Sequence, residues 1–333
     1  MTQTTGTRAL GTAGLVVSEQ GLGCAGMSSS YGASDDDESI ATLARAVELG
    51  ITFFDTANVY GDGHNEQLLG RAFAGRREEV TIATKFGFRR DNDGGLQVDG
   101  RLESIRASCE ASLRRLRIET IDLYYPHRLD PAIPVEDVIG AMAELVGAGM
   151  VRYLGMCEVS SQTLERAVQV HPISALESEW SLWTRDIEET VRPTAVRLGI
   201  GMVPYCPLGR GFLTGTISSP DALGPEDYRR TTPRFAKDNM AWNTRIITAL
   251  RALATEKNCT VAQLSLAWVM AQGKDVVPIP GTKRRRYLEE NAEASLVELT
   301  AEDLARIEVI APVGVAAGDR YPGEQRYADT PAR

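Results

Sequence analysis

Short apolar segments alternate with amphipathic segments along most of the chain. Eight segments are short and mostly apolar and predict strands: EQGLGCAG, ITFFD, VTIATK, IDLYYPH, VRYLGM, ISALES, GIGMVPY and DVVPIP. Between them, apolar positions recur at helical spacing in segments such as DDDESIATLARAVELG and PVEDVIGAMAELVGAG. Continuous apolar strands that alternate with helices are typical of a parallel sheet covered on its outer face. Eight such units favour a closed (β/α)8 TIM barrel of the α/β class over an open sheet.

The segments outside this repeat predict additions to the barrel. TRALG and GLVVSEQG at the start predict a short N-terminal β-hairpin. A stretch rich in Gly, Pro and charge, from about Pro207 to Ala241, predicts a long loop after the seventh strand. RRRYLEENAEA and AEDLARIEVI predict extra C-terminal helices. Because barrels of this size fold as one unit, residues 1–333 are expected to form a single domain.

One motif in the first strand segment suggests a different fold and is rejected. GLGCAG, from Gly21 to Gly26, matches the dinucleotide fingerprint G-x-G-x-x-G. That fingerprint needs a strong strand before it and a helix that opens on its last glycine. Here VVSEQ precedes the motif and the loop-like MSSSYGASDDD follows it, so a Rossmann site is not expected.

Polar side chains follow three consecutive predicted strands at their C-terminal ends. Asp55 ends the second strand and Tyr60 lies in the loop after it, Lys85 ends the third, and His127 ends the fourth. In a parallel barrel these ends meet at one face, where active sites form. Taken singly, such residues are more often turn formers or solvated groups than functional ones. Together, these four residues, here called the rim cluster, predict an active site.

The chemistry of the rim cluster is that of a general acid. A free tyrosine has a pKa near ~10 and is a poor acid at neutral pH. An ammonium from Lys85 is expected to lower the pKa of Tyr60, and Asp55 to keep that ammonium charged. His127 can orient a carbonyl oxygen by a hydrogen bond. This set is suited to protonating the oxygen of a carbonyl group that receives a hydride.

A basic run near the C-terminus predicts an anion site. In IPGTKRRRYLEEN, Thr282 is expected to cap a helix whose first turn carries Lys283, Arg284, Arg285 and Arg286. Positive charge is unfavourable at a helix N-terminus, and in an acidic protein it suggests a bound phosphate. YCPLGRGFLTG adds an aromatic ring at a strand end, Tyr205, and glycines that let a backbone approach a pyrophosphate.

Composition excludes several other classes of function. The net charge is 36 − 45 = −9, which disfavours general binding to nucleic acid or to an anionic membrane. The five cysteines contain no C-x-x-C pair, so neither a metal site nor a disulfide framework is predicted. No apolar signal segment or run of ~18 apolar residues is present, and a cytoplasmic protein is expected.

The motifs DTANVYG, NEQLLGRAF, IATKFG, IDLYYPHRLD, YCPLGRGFLTG and PIPGT followed by EEN give the chain a family resemblance. With these motifs in this order, the chain resembles the aldo-keto reductases over nearly its whole length. Through GLGCAGMS, ESEWSLWTRDIEE and TTPRFAKDN it most closely resembles the branch of perakine reductase-like enzymes. The resemblance implies a (β/α)8 barrel that binds NADPH without a Rossmann fold and reduces an aldehyde or ketone. It implies that Tyr60 is the acid, that Lys85 and Asp55 tune it, and that His127 orients the carbonyl.

The resemblance also implies a set of binding residues. Tyr205 is expected to stack on nicotinamide and the basic run to hold the 2′-phosphate. The residues expected to contact NADPH or NADP+ are Met27, Cys157, Glu177, Tyr205, Pro207, Leu208, Gly209, Gly211, Gly281, Thr282, Lys283, Arg284, Tyr287, Glu290 and Asn291. Those expected to line the substrate pocket are Tyr31, Asn58, Phe88, Arg128 and Trp242.

Two positions depart from the family pattern. Cys157 replaces the usual serine and Glu177 the usual glutamine, both expected to hold the nicotinamide carboxamide. An ionised Glu177 accepts hydrogen bonds but cannot donate one. The alternative to an active reductase is therefore an NADPH-binding redox sensor or partner subunit with slow turnover, resembling potassium-channel β subunits. The sequence leaves the substrate and the oligomeric state open.

Overall fold

The computed structural model of the protein describes residues 6–28, 30–90 and 95–321. The strands in these ranges are β1 (Thr7–Leu10), β2 (Leu15–Ser18), β3 (Gly21–Gly23), β4 (Phe53–Asp55), β5 (Thr81–Phe86), β6 (Phe88–Arg90), β7 (Leu96–Val98), β8 (Ile121–Pro126), β9 (Val151–Cys157), β10 (Ala175–Glu179) and β11 (Gly201–Tyr205). The α-helices are α1 (Asp36–Glu48), α2 (His64–Ala72), α3 (Leu102–Leu116), α4 (Val135–Gly147), α5 (Ser161–Ala167), α6 (Val191–Leu198), α7 (Lys237–Glu256), α8 (Val261–Met270), α9 (Arg285–Ala292) and α10 (Ala301–Ile310).

Seven strands form one parallel sheet that curves into the predicted barrel. Their order is β11-β10-β9-β8-β5-β4-β3, so neighbours in the sheet are also neighbours in the chain apart from the β6–β7 hairpin. Phe53, Leu123, Tyr125 and Val203 belong to the apolar cluster inside the barrel. A larger cluster packs the helices against the outside of the strands. The predicted (β/α)8 architecture is confirmed.

The eighth predicted strand, DVVPIP, closes the barrel without forming a continuous ladder. On one side, Val277 N–H donates to Met202 O (2.8 Å) and Ile279 N–H to Pro204 O (3.0 Å) in β11. The alternate positions, which face β3, are Pro278 and Pro280, and proline has no N–H to donate. On that side, Gly21 N–H donates to Pro278 O (2.9 Å), and Gly23 pairs with Gly281 in an isolated parallel bridge.

The glycines of GLGCAG serve this closure. A Cβ on Gly21 would lie 2.6 Å from the Phe53 ring and 2.8 Å from the Ile279 side chain, and one on Gly23 would lie 2.9 Å from Ile279 O. The residues after β3 form a short 3-10 helix, Ala25–Met27, rather than an α-helix opening on Gly26. The glycines of this motif therefore serve close strand packing. They do not form a Rossmann dinucleotide site.

Two hairpins flank the barrel. The predicted N-terminal hairpin is confirmed: β1 and β2 pair antiparallel, and their Leu10, Leu15 and Val17 join the apolar cluster inside the barrel. The β6–β7 hairpin after the third barrel strand was not predicted. Each of its strands has only three residues, which is too short for apolar alternation to identify a strand in the sequence.

The long insert after β11 contains short 3-10 helices at Gly209–Thr214, Pro220–Ala222, Tyr228–Thr231 and Pro233–Phe235. Helix α7 begins at Lys237, six positions before the predicted start at Asn243. The first turn, KDNM, contains weak helix formers that tertiary contacts stabilise. Asn239 Nδ2, for example, donates to Pro233 O (2.8 Å). Among the described residues, no helix combines the length and apolarity needed to cross a membrane.

Gly21→Ala should destabilise the barrel, because its methyl group would meet the Phe53 ring, the Ile279 side chain and Phe53 O. We expect a loss of about 1–3 kcal/mol in the free energy of unfolding, as for other overpacked cores. Urea denaturation measures it. Gly140→Ala is the matched control: it lies in α4 with nothing within 4 Å of an added Cβ, and should stabilise by roughly 0.5–1 kcal/mol. Equal effects of both substitutions would contradict this account of closure.

Candidate active site

The carboxyl ends of neighbouring barrel strands bring the rim cluster together. Asp55 ends β4, Lys85 is the penultimate residue of β5, and His127 directly follows β8. Lys85 Nζ donates to Asp55 Oδ1 and to Thr56 O (3.0 Å), and lies 5.5 Å from the centre of the Tyr60 ring. The rings of Tyr60 and His127 meet edge to face at 5.8 Å. All four predicted residues therefore share one site.

Lys85 is a fully buried cation between carboxyl groups. Its ammonium makes ion pairs with Asp55 on one side and with Glu177 Oε2 at 3.2 Å on the other. Burial acts to lower the pKa of Lys85, but the attraction of Asp55 and Glu177 outweighs it and raises the pKa well above its ordinary value. Lys85 is therefore charged at neutral pH. Burial raises the pKa of Asp55, and the charge of Lys85 opposes that rise.

Tyr60 departs from the expectation that its acidity is increased. Burial raises the pKa of its phenol above the ordinary value, and the ammonium of Lys85 offsets only part of that rise. The prediction of a lowered pKa was therefore wrong for the protein alone, because removal of water disfavours the phenolate more strongly than one cation favours it. Tyr60 holds its proton firmly, and Lys85 is placed to stabilise the charge that forms when the proton leaves.

His127 is neutral. Burial, followed by the charges of Lys85 and Arg128, lowers the pKa of His127 well below its ordinary value. Phe88 packs edge to face on its ring at 5.0 Å, and its buried Nδ1 has no hydrogen-bond partner among the described residues. A neutral imidazole carries one N–H, which can donate to a carbonyl oxygen without adding a positive charge to the site.

Glu177 lies beside the rim cluster rather than apart from it. Burial and the nearby Asp55 raise the pKa of Glu177 to about 8. Near neutral pH Glu177 therefore carries a proton and can donate a hydrogen bond, which an ionised side chain cannot do. Cys157 Sγ lies 3.7 Å from Glu177 Oε2, and burial raises the pKa of Cys157 well above its ordinary value, which keeps it a thiol.

The loop after β11 has the backbone that the cofactor prediction requires. Cys206, Gly209, Arg210 and Gly211 all have positive φ, so the chain turns sharply beyond Tyr205. A Cβ on Gly209 would lie 2.5 Å from Trp183 Nε1, so only glycine fits. Tyr205 is half-buried at the end of β11. This cradle fits an extended dinucleotide.

Four further residues predicted to contact the cofactor differ in their exposure and backbone contacts. Met27 is fully buried in the core, so only its backbone can reach a ligand. Tyr287 is exposed on α9, whereas Asn291 is buried and accepts a hydrogen bond from Gln20 at its carbonyl (3.1 Å). Glu290 O accepts from Gln263 Nε2 (3.1 Å), which fixes the backbone of this helix against α8.

The basic run spans the start of α9: Arg285 and Arg286 lie in its first turn as predicted, whereas Lys283 and Arg284 precede it. The helix begins at Arg285 with Arg284 in the N-cap position, so Thr282 does not cap it. Thr282 Oγ1 instead accepts from Arg284 N–H (3.2 Å). Lys283 Nζ donates to the carbonyls of Tyr31 (2.9 Å), Gly32 (3.0 Å) and Ala33 (2.6 Å). This difference arises because Lys283 bridges to the loop before α1, which sequence spacing cannot reveal.

The five predicted substrate residues do not all adjoin the rim cluster. Phe88 packs on His127, Arg128 Nη1 donates to His127 O (2.6 Å), and Asn58 Nδ2 donates to Phe88 O (3.4 Å). Tyr31 lies further along the rim, with its hydroxyl 4.0 Å from Cys206 Sγ. Trp242 is exposed on α7 and contacts Val315 and Arg245, so its side chain lies on the outer surface of the helix.

Arg320 is a buried residue at this site that sequence analysis did not identify. Its guanidinium donates to Glu158 Oε1 (2.8 Å) and to the Tyr205 hydroxyl (3.1 Å), and pairs with Glu179 Oε2 at 3.4 Å. Tyr321 OH lies 3.0 Å from Tyr205 OH. Arg320, Arg210 and Arg234 together lower the pKa of Glu179 to about 2 although burial raises it. No apolar pattern marks the segment GDRY, so the sequence gives no signal for this contact.

Arg320→Ala should release the segment 312–321 from the barrel. Its loss removes charge-assisted hydrogen bonds worth roughly 1.5–3 kcal/mol each, so amide hydrogen exchange across 312–321 should accelerate at least ~10-fold. The control is Arg306→Ala, which breaks the exposed ion pair of α10 with Glu256 and should change little. Unaltered exchange in the Arg320 variant would show that other contacts hold the segment.

Among the described residues, no group of three or more His, Cys, Asp or Glu side chains is arranged to hold a metal ion.

Comparisons with known proteins agree with this geometry. The pattern of the aldo/keto reductase family matches residues 20–312. The probable aldo-keto reductase 1 of Glycine max is 43% identical over 331 residues, which cover 97% of this chain and 95% of that protein.

Solved structures share the fold. The glycerol dehydrogenase AKR11B4 from Gluconobacter oxydans superposes with a TM-score of 0.84 at 28% identity, covering 91% of this chain and 94% of that one. An aldo-keto reductase from Klebsiella pneumoniae, solved in complex with NADPH, superposes with a TM-score of 0.72 at 24% identity, covering 99% of this chain and 100% of that one. With its barrel, its rim cluster and a family match over residues 20–312, the chain belongs to the aldo/keto reductase family.

Proposed function

We propose that the protein reduces an aldehyde or ketone to an alcohol with NADPH as the hydride donor, and that Tyr60 supplies the proton. The observation that carries this proposal is the position of Lys85: a buried, charged ammonium, held by Asp55, lies 5.5 Å from the Tyr60 ring centre. The His127 ring meets the Tyr60 ring edge to face, with their centres 5.8 Å apart. Family membership makes the chain an oxidoreductase, and this cluster gives Tyr60 the surroundings of a general acid.

The residues of the rim cluster act in a defined order. When bound, NADPH supplies a hydride to the carbonyl carbon. The neutral imidazole of His127 donates a hydrogen bond to the carbonyl oxygen and orients it. Tyr60 transfers its phenolic proton to that oxygen as negative charge develops there. Lys85 stabilises the resulting phenolate, and Asp55 keeps Lys85 charged throughout.

The cofactor proposal rests on two features of the chain. The positive-φ turn after Tyr205 offers a backbone surface for a pyrophosphate, with the Tyr205 ring at its edge. Exposed Arg284 and half-buried Lys283 lie together before α9 and offer positive charge for a 2′-phosphate. That charge favours NADPH and NADP+ over NADH, which has no phosphate at this position.

The substrate is proposed to be a small carbonyl compound that enters beside His127. Among the predicted pocket residues, Phe88 and Arg128 contact His127, and Asn58 contacts Phe88. Trp242 is exposed on α7. All five cysteines are free thiols, which supports a reducing, cytoplasmic location. The whole chain, 1–333, is proposed to form one domain; its two ends lie outside the described residues.

Tyr60→Phe should abolish carbonyl reduction while NADPH still binds. The variant keeps the ring but lacks the proton that is needed only as charge develops, so turnover should fall by ~10²–10⁴-fold. NADPH consumption with a panel of aldehydes measures turnover, and fluorescence titration measures binding. Retention of more than ~10% of turnover would place the acid elsewhere. A wild type that binds NADPH but reduces none of the panel would favour the sensor alternative.

Arg284→Ala should weaken the binding of NADPH far more than the binding of NADH. One charge-assisted contact to the 2′-phosphate is worth roughly 1.5–3 kcal/mol, or about 10- to 150-fold in affinity. Arg285→Ala is the matched control, because Arg285 is engaged in an ion pair with Glu38 at 2.9 Å. Lys283→Ala is less selective, since it also removes three hydrogen bonds to the loop before α1. Equal losses of affinity for NADPH and NADH in the Arg284 variant would contradict the assignment of Arg284 to the 2′-phosphate.

A further inference from the structure

We infer that Glu177 is a positioning residue of the acid site: it holds Lys85 opposite Asp55 and sets the net charge that Tyr60 experiences when it gives up its proton. This inference rests on the proposed function of Tyr60. It adds Glu177 to the residues of the rim cluster that take part in proton transfer. It assigns Glu177 a part in proton transfer in addition to any contact with a cofactor.

The geometry places one ammonium between two carboxyl groups. Glu177 Oε2 lies 3.2 Å from Lys85 Nζ, whose other carboxyl partner is Asp55. Lys85 is fully buried, and both carboxylic side chains are almost completely so. Glu177 also interacts directly with the carboxyl group of Asp55, whose Oδ2 is buried and has no hydrogen-bond donor among the described residues.

Two carboxylates in this space cannot both ionise at low cost. One cation balances one anion, and a second buried anion would be uncompensated. The pair therefore keeps one proton at neutral pH, and the group of Asp55, Glu177 and Lys85 is neutral. Burial and Asp55 raise the pKa of Glu177 to about 8, which places loss of that proton just above neutrality.

The groups that face Glu177 come from each strand around it. Asp55 lies on β4, Lys85 on β5, Tyr125 on β8 and Cys157 on β9. On β11 its partner in register is Val203, which does not titrate. Tyr60 experiences the charge of Glu177 from the loop after β4. The only partner that is positive at neutral pH in this set is Lys85, so loss of the shared proton leaves a net charge of minus one.

The consequence falls on Tyr60. While Glu177 is protonated, the phenolate formed by proton transfer lies near a group of Asp55, Glu177 and Lys85 that has no net charge. Once Glu177 ionises, its negative charge opposes the phenolate and makes Tyr60 a weaker acid. A raised pKa means that the favourable state is complete at low pH and is lost as pH rises through about 8. Carbonyl reduction should therefore decline above that pH.

The test compares the wild type with Glu177→Gln from about pH 6 to about pH 10, at saturating NADPH and varied aldehyde. In the wild type, kcat/KM should decline with a midpoint near pH 8 and be at least about tenfold lower at about pH 10 than at about pH 6. In Glu177→Gln, which is neutral at every pH, it should remain within about threefold over the same range. An alkaline decline of the same position and slope in both proteins would overturn the inference.

Glu179→Gln is the matched control, since it makes the same chemical change two positions along β10. The pKa of Glu179 is lowered to about 2, so this residue is ionised throughout the pH range of the assay. Its ion pairs are to Arg210, Arg234 and Arg320 rather than to Lys85. The variant should keep the wild-type alkaline decline whatever its absolute rate. Loss of the decline here as well would mean that any buried charge on β10 controls it, and would overturn the assignment to Glu177.

Infrared titration provides a measurement that needs no substrate. A protonated carboxyl group has a carbonyl stretch separate from that of a carboxylate. The wild type should show such a band disappearing near pH 8, and Glu177→Gln should lack it. If the wild type reduces no carbonyl compound, the proposed function fails while the band still tests the shared proton. If Glu177→Gln does not fold, the absence of any titrating band in the wild type would itself overturn the inference.

Discussion

The buried ammonium of Lys85 is the constraint on which the active site depends. A cation without water is stable only beside negative charge, and the barrel supplies it from Asp55 on β4 and Glu177 on β10. This arrangement holds Lys85 close to Tyr60, and the negative charge of its carboxyl partners offsets the positive charge of Lys85. As a result Tyr60 is not a free phenolate but a firmly protonated acid whose conjugate base is stabilised only when it forms.

The barrel makes this arrangement possible by bringing distant strand ends to one rim. β4 and β10 are separated by more than a hundred residues of sequence, yet Asp55 from β4 and Glu177 from β10 both contact Lys85. The closing segment from Asp275 to Gly281 holds the ring together with few hydrogen bonds on the β3 side, because prolines alternate along it. Glycines at Gly21 and Gly23 allow the approach that replaces those bonds.

A second layer of charge surrounds the cofactor cradle. Glu158 and Glu179 are buried at the ends of β9 and β10, and Arg320 bridges them from the C-terminal segment. The same arginine donates to the hydroxyl of Tyr205, the proposed stacking ring. The C-terminal segment is therefore part of the wall of the site, and its position depends on ionic contacts rather than on an apolar face.

The sequence by itself determined the barrel, the N-terminal hairpin and the identity of the rim cluster, because strand periodicity and strand-end polarity are local properties. Only the tertiary structure decided the protonation of Glu177, the burial that raises the pKa of Tyr60, and the contacts of Lys283 and Arg320. It also decided that Trp242 is exposed on α7 beside Val315 and that Thr282 does not cap α9. Each of these depends on which distant groups share a space and how much water remains there, and spacing along a chain does not contain that information.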